Sequence, residues 1–206
     1  MRPLDTVLRQ LTVANQLTLL RLAAVPALAL ALLGGAPGIA LIVYVVAALT
    51  DSLDGIAARR LGQQTVLGSF LDPAADKLMM LVAYVTLAMP DHPRPFPDFE
   101  LAWHVPAWLA LLVVARDVLI VLVSAILSLA YNVRSFSPSR IGKWTTGFEM
   151  GTAGVYLLAN VWPEVIPPAL LTFGKLSTGS LVVLSGLLYL RLVTGMIRRL
   201  AQGTDG

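Results

Sequence analysis

The sequence predicts an all-α integral membrane protein, and three observations support this fold class. Of the 206 residues, 57% are hydrophobic and only 13% are charged, whereas soluble domains carry about 25% charged residues. The mean hydropathy is +0.77. The apolar residues form long stretches separated by Gly- and Pro-rich breaks, and about 20 apolar residues are enough to cross the hydrocarbon core of a bilayer. This pattern excludes a soluble enzyme and a disordered chain.

The chain is predicted to begin with an interfacial amphipathic helix over residues 1–14, because its apolar residues recur at helical spacing, at Leu4, Val7, Leu8 and Leu11. A bundle of six transmembrane helices follows, at residues 17–34, 38–57, 69–89, 104–131, 144–162 and 176–196. Proline is best tolerated in the first turn of a helix, so Pro73 predicts that the third span starts between Ser69 and Asp72. Residues 197–206 form a cytoplasmic tail, and residues 1–206 are predicted to be one domain.

The basic residues predict how the bundle is oriented. Most of them lie before span 1, in alternate connections or after span 6, at Arg2, Arg9, Arg59, Arg60, Arg134, Arg140, Lys143, Arg198 and Arg199. Cytoplasmic segments carry the excess of Lys and Arg, so both termini are expected on the cytoplasmic side of the cell's inner (plasma) membrane. The pI near 9.5 does not predict nucleic-acid binding, because the sequence has no continuous basic patch. The absence of cysteine excludes a thiolate metal site and a cysteine nucleophile.

Four aspartates at the ends of spans 2 and 3 form the candidate catalytic site: Asp51, Asp54, Asp72 and Asp76. Each pair is spaced by three or four residues and therefore shares a helix face. An antiparallel hairpin of the two spans would bring all four carboxylates together. Their mutual repulsion is relieved by divalent cations, and hard oxygen ligands favour Mg²⁺ or Mn²⁺. Two such ions suit phosphoryl or pyrophosphate chemistry, at a site facing the cytoplasm.

Small and basic residues between the two pairs support this interpretation. Gly55 and Ala58 leave room for a ligand beside the first pair, and Gly68 does so before the second. Arg59 would present a planar guanidinium to phosphate oxygens. The alternative is that the aspartates only solvate the tip of a hairpin, which four acids in this pattern make the weaker interpretation.

Together these residues resemble the signature of the CDP-alcohol phosphatidyltransferases, here Asp51-x2-Asp54-Gly55-x2-Ala58-Arg59-x8-Gly68-x3-Asp72-x3-Asp76. Asn15 to Arg21 with Pro26 is similar to the segment that opens many members of this family. Three further segments resemble those of the phosphatidylglycerophosphate and cardiolipin synthase branch: Leu71 to Lys77, Arg116-Asp117 and Gly142-Lys143-x-x-Thr146. The resemblance implies a six-helix bundle that transfers the phosphatidyl group of CDP-diacylglycerol to an alcohol and releases CMP. It implies that the four aspartates bind two metal ions, with Asp76 also the general base.

The resemblance also implies the substrate contacts. The CDP-diacylglycerol site would comprise Asn15, Thr18, Gly55, Ala58, Arg59, Thr65 and Gly68. Glycerol 3-phosphate is the first choice of acceptor, because an anionic acceptor would use Arg116, Arg140 and Lys143. Phosphatidylglycerol, which would give cardiolipin, is the alternative. Arg116 can equally form a self-satisfying pair with its neighbour Asp117. Homodimers are common in the family, although the sequence indicates no interface.

The residues alone leave two function classes outside this family as alternatives. Prenyltransferases with aromatic acceptors also use aspartate-rich motifs and Mg²⁺, but they need more spans and two motifs far apart in the sequence. A small transporter or structural membrane protein would release no CMP from CDP-diacylglycerol.

Overall fold

The structure is a computed structural model that describes the backbone of residues 13–61, 66–89, 100–131 and 140–202, and the side chains of 16–51, 74–89, 100–123 and 141–195. These ranges contain helices and short connections and no strand. The helices are α1 (Val13–Leu33), α2 (Pro37–Leu61), α3 (Val66–Ala88), α4 (Ala107–Tyr131), α5 (Arg140–Val161) and α6 (Pro168–Gln202). The prediction of an all-α chain is confirmed for the described residues.

Each predicted span coincides with one helix, but several boundaries differ. The third helix begins at Val66, so the predicted start between Ser69 and Asp72 is wrong and Pro73 lies in the helix interior. Proline removes one backbone donor there, a loss that neighbouring groups can compensate in membrane helices. The last helix begins at Pro168 rather than at residue 176, consistent with the preference for proline in the first turn. Of the predicted interfacial helix over residues 1–14, residues 1–12 lie outside the described residues, and α1 already begins at Val13.

The chain divides into two compact units, of which the first comprises Met1–Val105 and Ala153–Pro167. In this unit α1 packs against both α2 and α3, and its buried core includes Leu28, Leu32, Ala40, Ala83 and Tyr84. The turn between α1 and α2 contains Gly35 with φ of 71°, a conformation that side chains disfavour. This tight turn makes α1 and α2 an antiparallel hairpin.

A second feature of the first unit fixes the segment that precedes α4. Asn160 of α5 is buried, and its side-chain amide donates to the carbonyl oxygen of Trp103 at 2.8 Å and accepts from the Trp103 N–H at 3.1 Å. Val105 N–H donates to the carbonyl oxygen of Leu87 in α3 at 3.0 Å. These bonds satisfy backbone groups that would be costly to leave buried and unpaired.

The second unit comprises Pro106–Thr152 and Pro168–Gly206. In it α4 packs against α6, with Trp108 so close to Gly179 that an added Cβ would lie 2.9 Å from the indole ring. A small residue at position 179 therefore permits the close approach of α4 and α6. The part of α5 that belongs to this unit also contacts α6, through a buried hydrogen bond between the hydroxyls of Thr152 and Thr178 at 2.8 Å.

Among the described residues, two helices are long and apolar enough to cross a membrane, over Gln16–Leu33 and Pro168–Gly195, and Pro37–Asp51 is a shorter apolar segment. Large apolar side chains are exposed on several helices, among them Leu30, Ile42, Leu111 and Leu187. Exposed apolar surface of this extent suits contact with lipid.

Candidate active site

Arg21, Asp51 and Asp76 meet in the first unit and are called here the Arg21 cluster. The Nη1 atom of Arg21 lies 2.8 Å from Oδ1 of Asp51 and 2.5 Å from Oδ1 of Asp76. The three side chains come from α1, α2 and α3 respectively. One guanidinium nitrogen therefore joins two carboxylates on different helices.

The members of the Arg21 cluster differ in their exposure to the surroundings. The side chain of Arg21 is 2% exposed, whereas those of Asp51 and Asp76 are 38% and 45% exposed. An arginine buried in an apolar helix requires ionic or hydrogen-bond partners, and the two carboxylates supply them. The carboxylates in turn lie at the edge of the packed core, where a ligand can reach them.

Local packing explains why the two aspartates reach the same point. Two turns before Asp51 on α2, Tyr44 is buried, and its hydroxyl contacts the sulfur of Met80 on α3 at 3.9 Å. Ala75, next to Asp76, is fully buried. The contact of Tyr44 with Met80 thus joins α2 to α3 two turns from Asp51 and one turn from Asp76.

The other two aspartates of the predicted site are placed by their backbone. Asp54 lies one turn after Asp51 in α2, and Asp72 lies one turn before Asp76 in α3. Both pairs therefore have the helical spacing that the sequence predicts, while the side chains of Asp54 and Asp72 lie outside the described set. The Arg21 cluster brings together one carboxylate from each pair. The convergence of all four carboxylates stays a prediction.

The Arg21 cluster fits the chemistry of a divalent-metal site. Its carboxylate oxygens are hard donors from two helices, already gathered around a positive charge, and such donors suit Mg²⁺ or Mn²⁺. Among the described side chains, which include neither Asp54 nor Asp72, no group of three His, Cys, Asp or Glu residues occurs. The described residues thus supply two of the four expected ligands.

Among the residues predicted to bind CDP-diacylglycerol, the structure describes the side chain of Thr18 alone. Thr18 is 1% exposed and lies one turn before Arg21 on α1. The backbone places the others on α1, α2 or α3, namely Asn15, Gly55, Ala58, Arg59 and Gly68, whereas Thr65 lies outside the described residues. Apart from Thr18, their side chains are not described, so their contacts with a nucleotide stay predictions.

A second buried arginine, Arg116, lies in the second unit. It forms a group with Asp117, Glu149 and Ser185, which is called here the Arg116 cluster. Nη1 of Arg116 lies 2.7 Å from Oδ1 of Asp117 and 4.0 Å from Oε1 of Glu149. Nη2 donates to the hydroxyl of Ser185 at 3.2 Å. The side chain of Arg116 is 6% exposed, that of Asp117 13% and that of Glu149 0%.

The Arg116 cluster bears on the two sequence-based alternatives for Arg116. The pair of Arg116 with Asp117 is formed, as one of these alternatives requires. Glu149 is fully buried, and an acid within an apolar helix usually faces the protein interior. A role of Arg116 in acceptor binding stays a prediction.

The other two predicted acceptor residues lie at the start of α5. Arg140 is its first residue, with a side chain outside the described set, and Lys143 is exposed three residues later. Residues three apart share a helix face. A helix N-terminus also carries a partial positive charge that favours anions, so this end of α5 combines two cations with the helix dipole.

Sequence reasoning did not assign a role to Arg21, although this residue belongs to the Asn15–Arg21 segment. The available signal was an arginine inside an apolar stretch, which marks a functional or structural ion partner by default. The link between Arg116 and Glu149 was also missed. Nothing local in the sequence connects these two residues, which lie on α4 and α5.

Comparison with known proteins agrees with the sequence signature. The family model described as CDP-alcohol phosphatidyltransferase matches residues 11–203. Proteins of Yersinia enterocolitica and Yersinia pestis named "CDP-diacylglycerol--glycerol-3-phosphate 3-phosphatidyltransferase" are each 34% identical over 149 residues, covering 69% of this chain and 75% of the relative. A Mycobacterium tuberculosis protein named "Probable phosphatidylglycerophosphate synthase" is 30% identical over 190 residues, covering 89% of this chain and 78% of the relative. With the signature, the helical spacing of its aspartates and these matches in agreement, the chain belongs to the CDP-alcohol phosphatidyltransferase family.

Proposed function

We propose that this protein transfers the phosphatidyl group of CDP-diacylglycerol to glycerol 3-phosphate, giving phosphatidylglycerophosphate and CMP. Membership of the family supports the reaction type, and the names of the relatives support the acceptor. The observation that carries the proposal is the meeting of Asp51 and Asp76, one from each half of the signature, at a single exposed point.

Members of this family generally use divalent metal ions, and we propose that two Mg²⁺ or Mn²⁺ ions bind here to Asp51, Asp54, Asp72 and Asp76. When bound, the ions would neutralise phosphate charge and stabilise the leaving CMP. Thr18 and the signature residues Gly55, Ala58, Arg59 and Gly68, with Asn15 and Thr65, would hold the CDP-diacylglycerol. Small residues in this set leave space for the nucleotide, and Arg59 offers paired donors to phosphate oxygens.

The chain supplies the general base for the transfer. The hydroxyl oxygen of glycerol 3-phosphate forms a new bond to the phosphorus that carries the diacylglycerol, and the bond from that phosphorus to CMP breaks with its electrons leaving on CMP. Asp76 takes the hydroxyl proton.

The phosphate of the acceptor needs fixed cations, because it is held beside an already anionic pyrophosphate. Lys143 and Arg140 at the start of α5 suit this role through charge-assisted contacts, and Arg116 would be the third cation. Phosphatidylglycerol, the alternative acceptor, carries a single charge on a diester and would depend less on these residues.

The proposed enzyme forms a six-span bundle in the inner (plasma) membrane, with both termini and the active site on the cytoplasmic side, and a homodimer is the proposed assembly. The alternation of basic and base-poor connections supports this topology. A cysteine introduced by Thr204→Cys should be labelled only from the cytoplasmic face of sealed vesicles. Labelling from the outer face would contradict the topology.

CMP release from CDP-diacylglycerol tests the function. Purified protein with Mg²⁺ should release CMP when glycerol 3-phosphate is added and form phosphatidylglycerophosphate, identified by mass spectrometry. Parallel reactions contain phosphatidylglycerol or no acceptor. Cardiolipin formed from phosphatidylglycerol, with no product from glycerol 3-phosphate, would replace the proposed acceptor. No CMP release with any acceptor would contradict the transferase reaction.

A further inference from the structure

We propose that Arg21 is a positioning residue of the metal site: its guanidinium holds Asp51 and Asp76 in the orientation in which they bind the ions. This inference rests on the proposed function, because it concerns the same four-aspartate site. It adds a residue outside the aspartate signature, on a helix that contributes none of the four ligands.

The geometry requires the three helices to act together. Nη1 of Arg21 on α1 contacts Oδ1 of Asp51 on α2 and Oδ1 of Asp76 on α3. Because one nitrogen makes both contacts, the two oxygens are held close to each other. Each carboxylate also has a second oxygen, Oδ2, so a metal ion can bind to the same group that Arg21 orients.

The exposures of the three side chains indicate the direction from which an ion enters. Arg21 is 2% exposed and lies on the inner side of the cluster, while Asp51 and Asp76 are 38% and 45% exposed. An ion that arrives from the exposed side meets the carboxylates first. Moving the buried guanidinium aside would require unpacking α1 from α2 and α3, so Arg21 stays beneath the ligands when the ions bind.

Electrostatics gives Arg21 two opposite effects on metal affinity. Its charge offsets the repulsion between neighbouring carboxylates and fixes their rotamers before the ion arrives, which strengthens binding. Its charge also repels a divalent cation, which weakens binding. Removal of groups that orient metal ligands typically costs about 10–100-fold in metal affinity. The positioning role therefore predicts weaker binding when Arg21 is removed, whereas a guanidinium that merely occupies the cation position predicts tighter binding.

The sign of the change can be measured on the full-length protein in detergent micelles without any substrate. Free Mn²⁺ is followed by electron paramagnetic resonance during a titration, and its dissociation constant is compared among variants. Arg21→Gln should weaken Mn²⁺ binding by about 10–100-fold, and Arg21→Lys, which keeps the charge, should weaken it less. Arg191→Gln removes an equal charge from an exposed position of α6 and should leave the dissociation constant within about twofold of the wild-type value, since α6 carries none of the four expected ligands.

Unchanged or tighter Mn²⁺ binding in folded Arg21→Gln would overturn the positioning role. If that variant does not fold, Arg21→Lys decides in the same way, because a lysine cannot reproduce the planar guanidinium: weaker binding supports the role, and equal or tighter binding overturns it. Mn²⁺ binding that depends on Arg21 in a protein that releases no CMP would contradict the proposed function alone. A wild-type protein that binds no Mn²⁺ would contradict both proposals.

Discussion

The Arg21 cluster and the Arg116 cluster are built from the same groups but differ in the exposure of their carboxylates. In each, a buried arginine contacts two acidic side chains from its own unit of the chain. The acids around Arg21 are 38% and 45% exposed, whereas those around Arg116 are 13% and 0% exposed. The carboxylates of the first cluster are therefore accessible from outside the packed core, while those of the second are largely enclosed by it.

This difference separates two uses of a buried arginine. A guanidinium whose partners face outward can orient them toward a ligand, so its loss should appear mainly in binding and turnover. A guanidinium whose partners are also buried compensates charges that would otherwise be costly in the interior, so its loss should appear mainly in stability. The following predictions test this distinction, from the largest expected effect to the smallest.

Asp51→Asn should lower turnover by about 10⁴-fold, because loss of a metal ligand removes several kcal/mol of transition-state stabilisation. The substitution keeps the shape of the side chain, and an exposed position tolerates the loss of charge, so thermal unfolding should change by only a few degrees. CMP release and thermal unfolding in detergent are the two measurements. Turnover within tenfold of the wild type in folded Asp51→Asn would remove Asp51 from the metal site.

Arg116→Gln should destabilise the fold by about 3–5 kcal/mol, because it leaves buried carboxylates without the guanidinium that now compensates them. Thermal unfolding should therefore shift downward by about 10 °C, while Mn²⁺ affinity stays close to that of the wild type. Arg116→Gln combined with Glu149→Gln serves as the control, since it also removes the buried anion and should recover part of the loss. A stable Arg116→Gln with greatly weakened Mn²⁺ binding would show that the two clusters do not differ as described.

Lys143→Ala should raise KM for glycerol 3-phosphate by about tenfold, which corresponds to about 1.4 kcal/mol and to the loss of one charge-assisted contact. KM for CDP-diacylglycerol should stay nearly constant. Lys175→Ala, which removes a lysine from the N-terminal part of α6, is the matched control. Equal KM values for glycerol 3-phosphate in wild type and Lys143→Ala would argue against acceptor binding at the start of α5.

Gly179→Ala should cost about 1 kcal/mol of stability, because the added methyl group would lie 2.9 Å from the Trp108 ring and overpacking is partly offset by the better helix propensity of alanine. This change disturbs the packing of α4 on α6 without altering any charge. Thermal unfolding should shift by a few degrees, well below the effect of Arg116→Gln. Equal losses for the two variants would mean that packing, and not charge compensation, governs the second unit.

The helices were predictable because their signal is local. Long apolar stretches and Pro- or Gly-rich breaks predicted one helix for every span, and the pairs Asp51/Asp54 and Asp72/Asp76 have the helical spacing expected of them. Boundaries were less predictable, because the rule that placed Pro73 in a first turn ignores how neighbouring helices compensate a lost hydrogen bond. The predicted placement of all four carboxylates at one point rests on tertiary structure, and the described residues bear on only Asp51 and Asp76.

Partners that lie far apart in the sequence could not be predicted in this way. Arg21 reaches Asp51 and Asp76 only because α1 packs against both α2 and α3, and no periodicity within one helix encodes that contact. Arg116 illustrates the same limit. Its bond to adjacent Asp117 was foreseeable, whereas its proximity to Glu149 and Ser185 depends on how α4, α5 and α6 pack.

The length of α6 has a consequence for the lipid environment. Its 35 residues correspond to about 52 Å at the usual helical rise, well above the roughly 30 Å thickness of a hydrocarbon core. Such a helix must tilt or extend into the headgroup layer, at a modest cost for each ångström of mismatch. Because α6 packs against α4 in the second unit, a change in the tilt of α6 would alter that packing. Reconstitution in lipids of different acyl-chain length should therefore change the stability of that unit.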